Sequence, residues 1–270
     1  MCPPIPWVIY QYATINVRTL KIKNDGYKRY EEDGTCALAE VWATFMNVLG
    51  CGIFAVQECR IPGQTTTTCG EYRVFYSGRT TDKKRQHGVG IFIRKDWIKG
   101  AVDIQPITER ILWIHGTFHG VTRTIVVVYA PTECADAYLS MASEMNVIRQ
   151  RYGDNIIVMG DFNARVGTKV GFEQTDEEFL GQFGMHDDAR NNVNGALLRE
   201  FCATNAFKIA DTFFEAENDD YGTWHHSTGP EYIAALDHVL VHDSTWIKIH
   251  YCGSATLTMP YLPRTTELST

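Results

Sequence analysis

Gly160-Asp161-Phe162-Asn163 follows directly on the apolar run Ile156 to Met159, so an extended segment delivers a carboxylate and an amide to its own carboxyl end. Side chains alternate along extended chain, which predicts Asp161 and Asn163 on one face, while Gly160 admits the close approach of another backbone or a ligand. A pure acceptor beside a group that donates and accepts suits a water, a metal ion or a phosphate. Asp and Asn after a strand are also ordinary turn formers, and the pair alone leaves both readings open.

Other polar residues sit at the ends of apolar, strand-like runs: Asn16 after Val8 to Ile15, Glu58 after Ile53 to Val56, Tyr129 after Thr124 to Val128, and Asp237 within Ala235-Leu236-Asp237-His238-Val239-Leu240. These residue types bind a hard divalent cation or orient a water, and core packing gives no reason for their recurrence at strand ends. They form one candidate constellation.

The elements that must position them are legible from periodicity. Leu38, Val41, Trp42, Phe45 and Leu49 recur at three and four residues, with Gly50 and Gly52 beyond, and predict a helix. Tyr138, Met141, Met145 and Ile148 predict a second helix over 136–152 with Asp136 as its cap, and 194–205 a third. Tyr72 to Tyr76, Gly90 to Ile93, Ile111 to Phe118 and Thr124 to Tyr129 read as consecutive strands joined as hairpins, and Phe207 to Ala210, Thr223-Trp224 and Ile233 to Val241 as later strands. Hairpin runs interleaved with helical crossovers predict a layered α/β domain rather than a purely parallel doubly wound sheet.

Composition narrows the function classes. Twenty-five Lys and Arg against 32 Asp and Glu give a net charge of -7, which disfavours a polyanion binder that relies on bulk positive charge. A phosphodiester hydrolase is compatible with that acidity if it holds a divalent metal on clustered carboxylates. The one dense basic cluster, Arg79 to His87, reads as a solvated loop or a phosphate-facing one. Eight cysteines show neither CxxC pairs nor regular spacing, so no zinc site or disulfide framework is expected. The start of the chain lacks the pattern of a signal peptide, and no stretch approaches membrane-spanning length, which predicts an intracellular protein.

The motifs, taken in order, resemble the endonuclease/exonuclease/phosphatase superfamily. Thr14-Ile15-Asn16-Val17-Arg18-Thr19-Leu20 is similar to its first Asn motif and Val56-Gln57-Glu58-Cys59-Arg60 to its metal-binding Gln-Glu motif. Gly88-Val89-Gly90-Ile91, Val128-Tyr129-Ala130-Pro131 and Gly160-Asp161-Phe162-Asn163 follow in the expected places. Asn16-Val17-Arg18-Thr19-Leu20, the helix-opening Asn194-Gly195, and Thr223-Trp224 before Leu236-Asp237-His238 resemble the endonuclease domain of non-LTR retrotransposons and host proteins derived from them.

That resemblance implies one domain over residues 1–270, a four-layer α/β/β/α sandwich with two mixed sheets packed face to face. It implies a Mg²⁺- or Mn²⁺-dependent phosphodiester hydrolase acting on DNA, as a monomer without a membrane, inside the cell and the nucleus included. Asn16, Glu58, Asp161 and Asn163 would hold the metal. Tyr129, Asp161, Asn163 and Asp237 would carry the chemistry: Asp161 on the attacking water, Asn163 on that water or the phosphate, Tyr129 on the phosphoryl oxygens.

The chain departs from the family at its end. The resemblance calls for a terminal Ser-Asp-His motif, yet residues 260–270 contain no His and no Asp, so the last strand reads as truncated and the activity of this chain as weakened or lost. Asp237 matches the carboxylate that orients the missing imidazole, and His238, adjacent in a strand, is expected to face the opposite way as a structural residue. His225 and His226 lie in a loop that could approach the cleft, whereas His115, His119 and His186 match no site position. A degenerate domain that binds nucleic acid or protein is the alternative outside enzymes. A phosphatase or phospholipid phosphodiesterase is the alternative within the fold.

Overall fold

A computed structural model describes residues 12–17, 20, 37–79, 87–132, 135–168, 178–185, 192–216, 221–225, 233–246 and 252. The first sheet contains β1 (Tyr12–Asn16), β2 (Ile53–Gln57), β3 (Gln64–Cys69), β4 (Tyr72–Ser77) and β5 (Val89–Arg94), in the order β1-β2-β5-β4-β3. Only β1 and β2 run parallel. β6 (Ile98–Thr108), β7 (Ile111–Phe118), β8 (Val121–Tyr129), β9 (Ile156–Asp161) and β10 (Phe207–Ile209) belong to the second sheet. β11 (Trp224–His225) and β12 (Ile233–Ala234) pair separately, and β13 (Asp237–His242) returns to the second sheet, ordered β10-β13-β9-β8-β7-β6. There the parallel pair is β8 with β9.

Alternation along the central strands explains the layers. In β2, Ile53 and Ala55 enter the core between the sheets, where they join Ile91, Leu112, Val127 and Met159, while Phe54 and Val56 face the other way. Phe54 there meets Ala39, Ala43 and Met46 of α1 (Ala37–Val48). Likewise Ile157 and Met159 of β9 point between the sheets, and Ile156 and Val158 point toward α2 (Ala135–Tyr152) and α3 (Val193–Asn205). Such strands are covered on both faces and therefore read as continuous apolar runs. The result is a four-layer α/β/β/α sandwich of two mixed sheets packed face to face. Among the described residues, no helix is long and apolar enough to cross a membrane.

Several sequence expectations are corrected. β3 and β6 are strands that periodicity did not announce: β3 carries four successive threonines, and β6 contains Pro106 and Gly100. Both are edge strands, where a polar outer face and a proline are tolerated. The strands around β5 and β7 are not a hairpin pair, because they lie in different sheets; β6-β7-β8 is the hairpin run. Ile233 to Val241 is two strands with Ala235 and Leu236 between them, and Asp136 lies inside the first turn of α2 rather than capping it. Of the basic loop, residues 80–86 lie outside the described residues, as do 8–11 of the first strand and 247–251 near the end.

Candidate functional site

Strand parity and direction gather the polar residues at one end of the inter-sheet crevice. Asn16 shares parity with Tyr12, Tyr129 with Ile125 and Val127, and Asp161 with Ile157 and Met159, all members of or packed against the core between the sheets. Tyr129 and Asp161 are neighbours because β8 and β9 are parallel and end together. Asp237 opens β13 rather than ending a strand, and the antiparallel pairing of β13 with β9 brings it across from Asp161. Glu58 would by parity follow Phe54 and Val56 toward α1. A left-handed backbone at Glu58 (φ 54) takes its side chain out of that alternation and into the crevice.

Asn16 is the hinge of the cluster. Its amide nitrogen donates to Glu58 Oε1 at 3.0 Å and to Asp161 Oδ2 at 2.8 Å, so one side chain from the first sheet binds a carboxylate of each sheet. Facing two acceptors fixes the orientation of the amide. Tyr129 donates its hydroxyl to Glu58 Oε1 at 3.0 Å, and Arg60 donates to Glu58 Oε2 at 3.2 Å.

These contacts push the two carboxyls apart. Burial alone would raise Glu58, but hydrogen bonds from Asn16, Arg60 and Tyr129 outweigh it and hold the group below the ordinary carboxylate range. Asp161 moves the other way: burial and the nearby Glu58 charge raise it, against hydrogen bonds from Asn16 and the Asn163 backbone. Asp237 is pushed up to about 7 by burial and by Asp161, and its Oδ1 is buried without a hydrogen-bond partner among the described residues. Burial and Glu58 also raise Tyr129, which keeps its phenol protonated as a donor.

Asn163 corrects the simple alternation argument. β9 stops at Asp161, and Asn163 has a left-handed backbone (φ 47), so the pleat does not continue to it. It still meets Asp161, through its backbone N–H, which donates to Asp161 Oδ1 at 2.9 Å. Its side-chain nitrogen donates to Ala130 O at 2.8 Å. Gly160 has the close backbone approach expected of it: a Cβ there would stand 1.9 Å from the Val128 carbonyl oxygen.

His238 points away from the crevice. It is buried toward Phe162, with Nδ1 2.8 Å from Asp211 Oδ2 and Nε2 2.9 Å from Ala164 O. The asparagine of the helix-opening motif, Asn194, is fully buried and donates to Pro131 O and Phe162 O beneath the site.

Residues not assigned to the site from sequence join it. Arg110 donates to Tyr129 O at 3.2 Å, stacks over the Tyr129 ring at 4.8 Å and places Nη2 3.2 Å from both ring nitrogens of His87. A lone Arg in the β6-β7 turn carried no sequence signal. Arg60 lies inside the quoted Gln-Glu motif, and Asn192, one residue before the first helical position of α3, carried an N-cap signal.

Two carboxylates, flanking amides and a tyrosine at the mouth of a four-layer α/β/β/α sandwich define the class: the chain belongs to the Endonuclease/Exonuclease/phosphatase family, which matches residues 36–255. It is similar to Craniofacial development protein 2 of Bos taurus, 23% identical over 203 residues that make up 72% of this chain and 32% of that protein. The chain thus spans about a third of the length of the curated relatives it matches. In fold it resembles the endonuclease domain of TRAS1, a telomere-specific non-LTR retrotransposon, with a TM-score of 0.55 and 17% identity over 88% of this chain and 86% of that one. It also resembles the catalytic domain of Xenopus laevis APE2, with a TM-score of 0.56 and 14% identity over 86% of this chain and 82% of that one.

Proposed function

We propose that this chain is a divalent-metal-dependent phosphodiester hydrolase acting on DNA, of the retrotransposon-endonuclease type. The observation that carries the reading is the Asn16 amide bound at once to Glu58 and Asp161. Core packing has no use for two carboxylates converging on one amide, whereas a hard cation and a water need such oxygens. Likeness in fold to the TRAS1 endonuclease domain supports a nucleic-acid substrate.

The residues fit Mg²⁺ or Mn²⁺. No three His, Cys, Asp or Glu side chains among the described residues form a metal cage. Mg²⁺, however, is commonly held by one or two carboxylates and otherwise by waters and substrate phosphate. Glu58, kept ionised by its hydrogen bonds, is the principal ligand, with Asp161 and the amide oxygens of Asn16 and Asn163 beside it. When bound, the ion neutralises phosphoryl oxygens and lowers the pKa of a water. Asp161, with its raised proton affinity, orients the attacking water and accepts its proton. Tyr129 donates to the phosphoryl group, Asn163 fixes the water or the phosphate, and Asp237 lies across the sheet from Asp161.

The test is nicking of supercoiled DNA with Mg²⁺ by the wild-type chain, Glu58→Gln and Asp161→Asn. Each variant is expected to lose about 10²- to 10⁴-fold; equal nicking by all three sinks the assignment.

A second reading is a degenerate binding domain. It requires that Mg²⁺ give no turnover while DNA binding at low salt survives Asp161→Asn.

A further inference from the structure

We propose that the segment Asn192-Val193-Asn194-Gly195, at the start of α3, positions the Asp161–Asn163 end of β9, and that Asn192 is its central positioning residue. The proposal rests on the hydrolase reading for its consequence, but its geometry is independent of it. Asn163 is a non-glycine residue at φ 47. Asn adopts this backbone more readily than other non-glycine residues do, and the contacts around it hold it there.

Asn192 restrains the Asn163 carbonyl. Its Oδ1 accepts from Arg165 N at 3.0 Å and from Gly195 N at 2.9 Å, which leaves its Nδ2 to donate to Asn163 O at 2.6 Å. One side chain therefore caps α3, binds the backbone two residues after Asn163, and clamps the Asn163 carbonyl. Asn194 secures the intervening residue, donating to Phe162 O at 3.1 Å and to Pro131 O at 2.7 Å. Gly195 lets the helix approach this closely, since a Cβ there would stand 2.0 Å from Arg165 O. The Asn163 N–H shares its peptide plane with Phe162 O, which Asn194 and the Tyr138 hydroxyl of α2 hold, and Asn192 holds the next plane through Asn163 O. Between these planes the N–H is aimed at Asp161 Oδ1, and Oδ2 is left to Asn16. The Asp161 carboxylate, bound directly by Asn16, is thus also positioned from α3, through backbone, by residues that do not touch it.

Capping and positioning use opposite ends of the Asn192 amide, so one substitution separates them. Asp caps a helix as well as Asn and keeps both acceptor bonds, but an ionised carboxylate cannot donate to Asn163 O. N192D is compared with N192A and wild type by thermal unfolding, by the NMR shift and hydrogen exchange of the Asn163 amide, and by Mn²⁺ affinity and DNA nicking.

N192D is expected to lower Tm less than N192A does, since it gives up the donor at Asn163 O but keeps the cap, to lose Asn163 amide protection by about tenfold or more, and to weaken Mn²⁺ binding and nicking roughly 10- to 100-fold. N192A should lose the cap as well. A wild-type Asn163 shift and exchange rate in N192D overturns the proposal. So does a Tm in N192D as low as in N192A, because the donation would then serve the whole fold. A responsive Asn163 amide in a protein that neither binds Mn²⁺ nor nicks DNA supports the positioning and overturns the hydrolase reading instead.

Discussion

Asp237, the first residue of β13, lies directly across the sheet from Asp161, the last residue of β9. Burial disfavours ionisation of Asp237, and the facing Asp161 charge adds to the effect, so Asp237 is pushed up to about 7. A folded-state pKa above the unfolded value of about 3.9 means that the folded chain binds the extra proton. Stability is therefore expected to fall as pH rises from about 4 to 7 on account of this group. Asp237→Asn removes that charge and should stabilise the metal-free fold by about 1–3 kcal/mol above pH 7, with little effect near pH 4. Urea unfolding of both proteins at the two pH values checks the sign.

Glycine at 160 answers a steric demand. Gly160→Ala drives a methyl into the Val128 carbonyl and should break the parallel β8-β9 register, at a cost of about 3 kcal/mol or more. Gly153→Ala is the control: its φ of 78 is also left-handed, but no atom of the described residues beyond its chain neighbours stands within 4 Å of a Cβ there, so about 1 kcal/mol is expected. Denaturation midpoints of the two variants measure the difference.

His238 should matter for stability with a pH dependence opposite to that of a salt-bridged acid. Burial lowers its proton affinity, but Asp211 at 2.8 Å outweighs that and raises the pKa above 6.5. Its contribution is complete below about 6.5 and is lost as pH rises through the raised folded value. His238→Gln is expected to cost about 2–3 kcal/mol at pH 6 and progressively less at higher pH, as read from urea titrations.

Cys51 is expected to be chemically inert in the folded protein. Burial pushes its thiol up to about 12, against the hydrogen bond to Ile53 O at 3.2 Å. Alkylation at pH 8 should spare Cys51 in native conditions and label it in urea, with peptide mass spectrometry as the readout.

The central strands were legible in the sequence because burial on both faces demands continuous apolar residues, and α2 and α3 because each packs one apolar face. α1 was placed as a helix, but it packs through Ala39, Ala43 and Met46, while Val41 and Leu49 of its apparent apolar repeat are exposed. β3 and β6 were not: an edge strand is held by its neighbour's backbone, so threonines, a glycine and a proline suffice and leave no periodic signature. The break between β12 and β13 was hidden for a related reason. Ala235 and Leu236 are as apolar as the strands they separate, and Thr223 Oγ1 accepting from the backbone N–H groups of Leu236 and Asp237 marks the start of β13.

For the site, the sequence by itself determined the residue types and their placement at strand ends, because Asn16, Glu58, Tyr129, Asp161 and Asp237 each border an apolar run. Only the tertiary structure decided which of them meet. Asn16 and Asp161 are 145 positions apart, and they touch because two separate sheets pack face to face and end at one crevice. It also decided orientation: Glu58 and Asn163 enter the cluster through left-handed backbones that strand alternation does not foresee. At Asn163, hydrogen bonds from a distant helix cap help to hold that backbone, and a contact of this kind does not exist until the chain has folded.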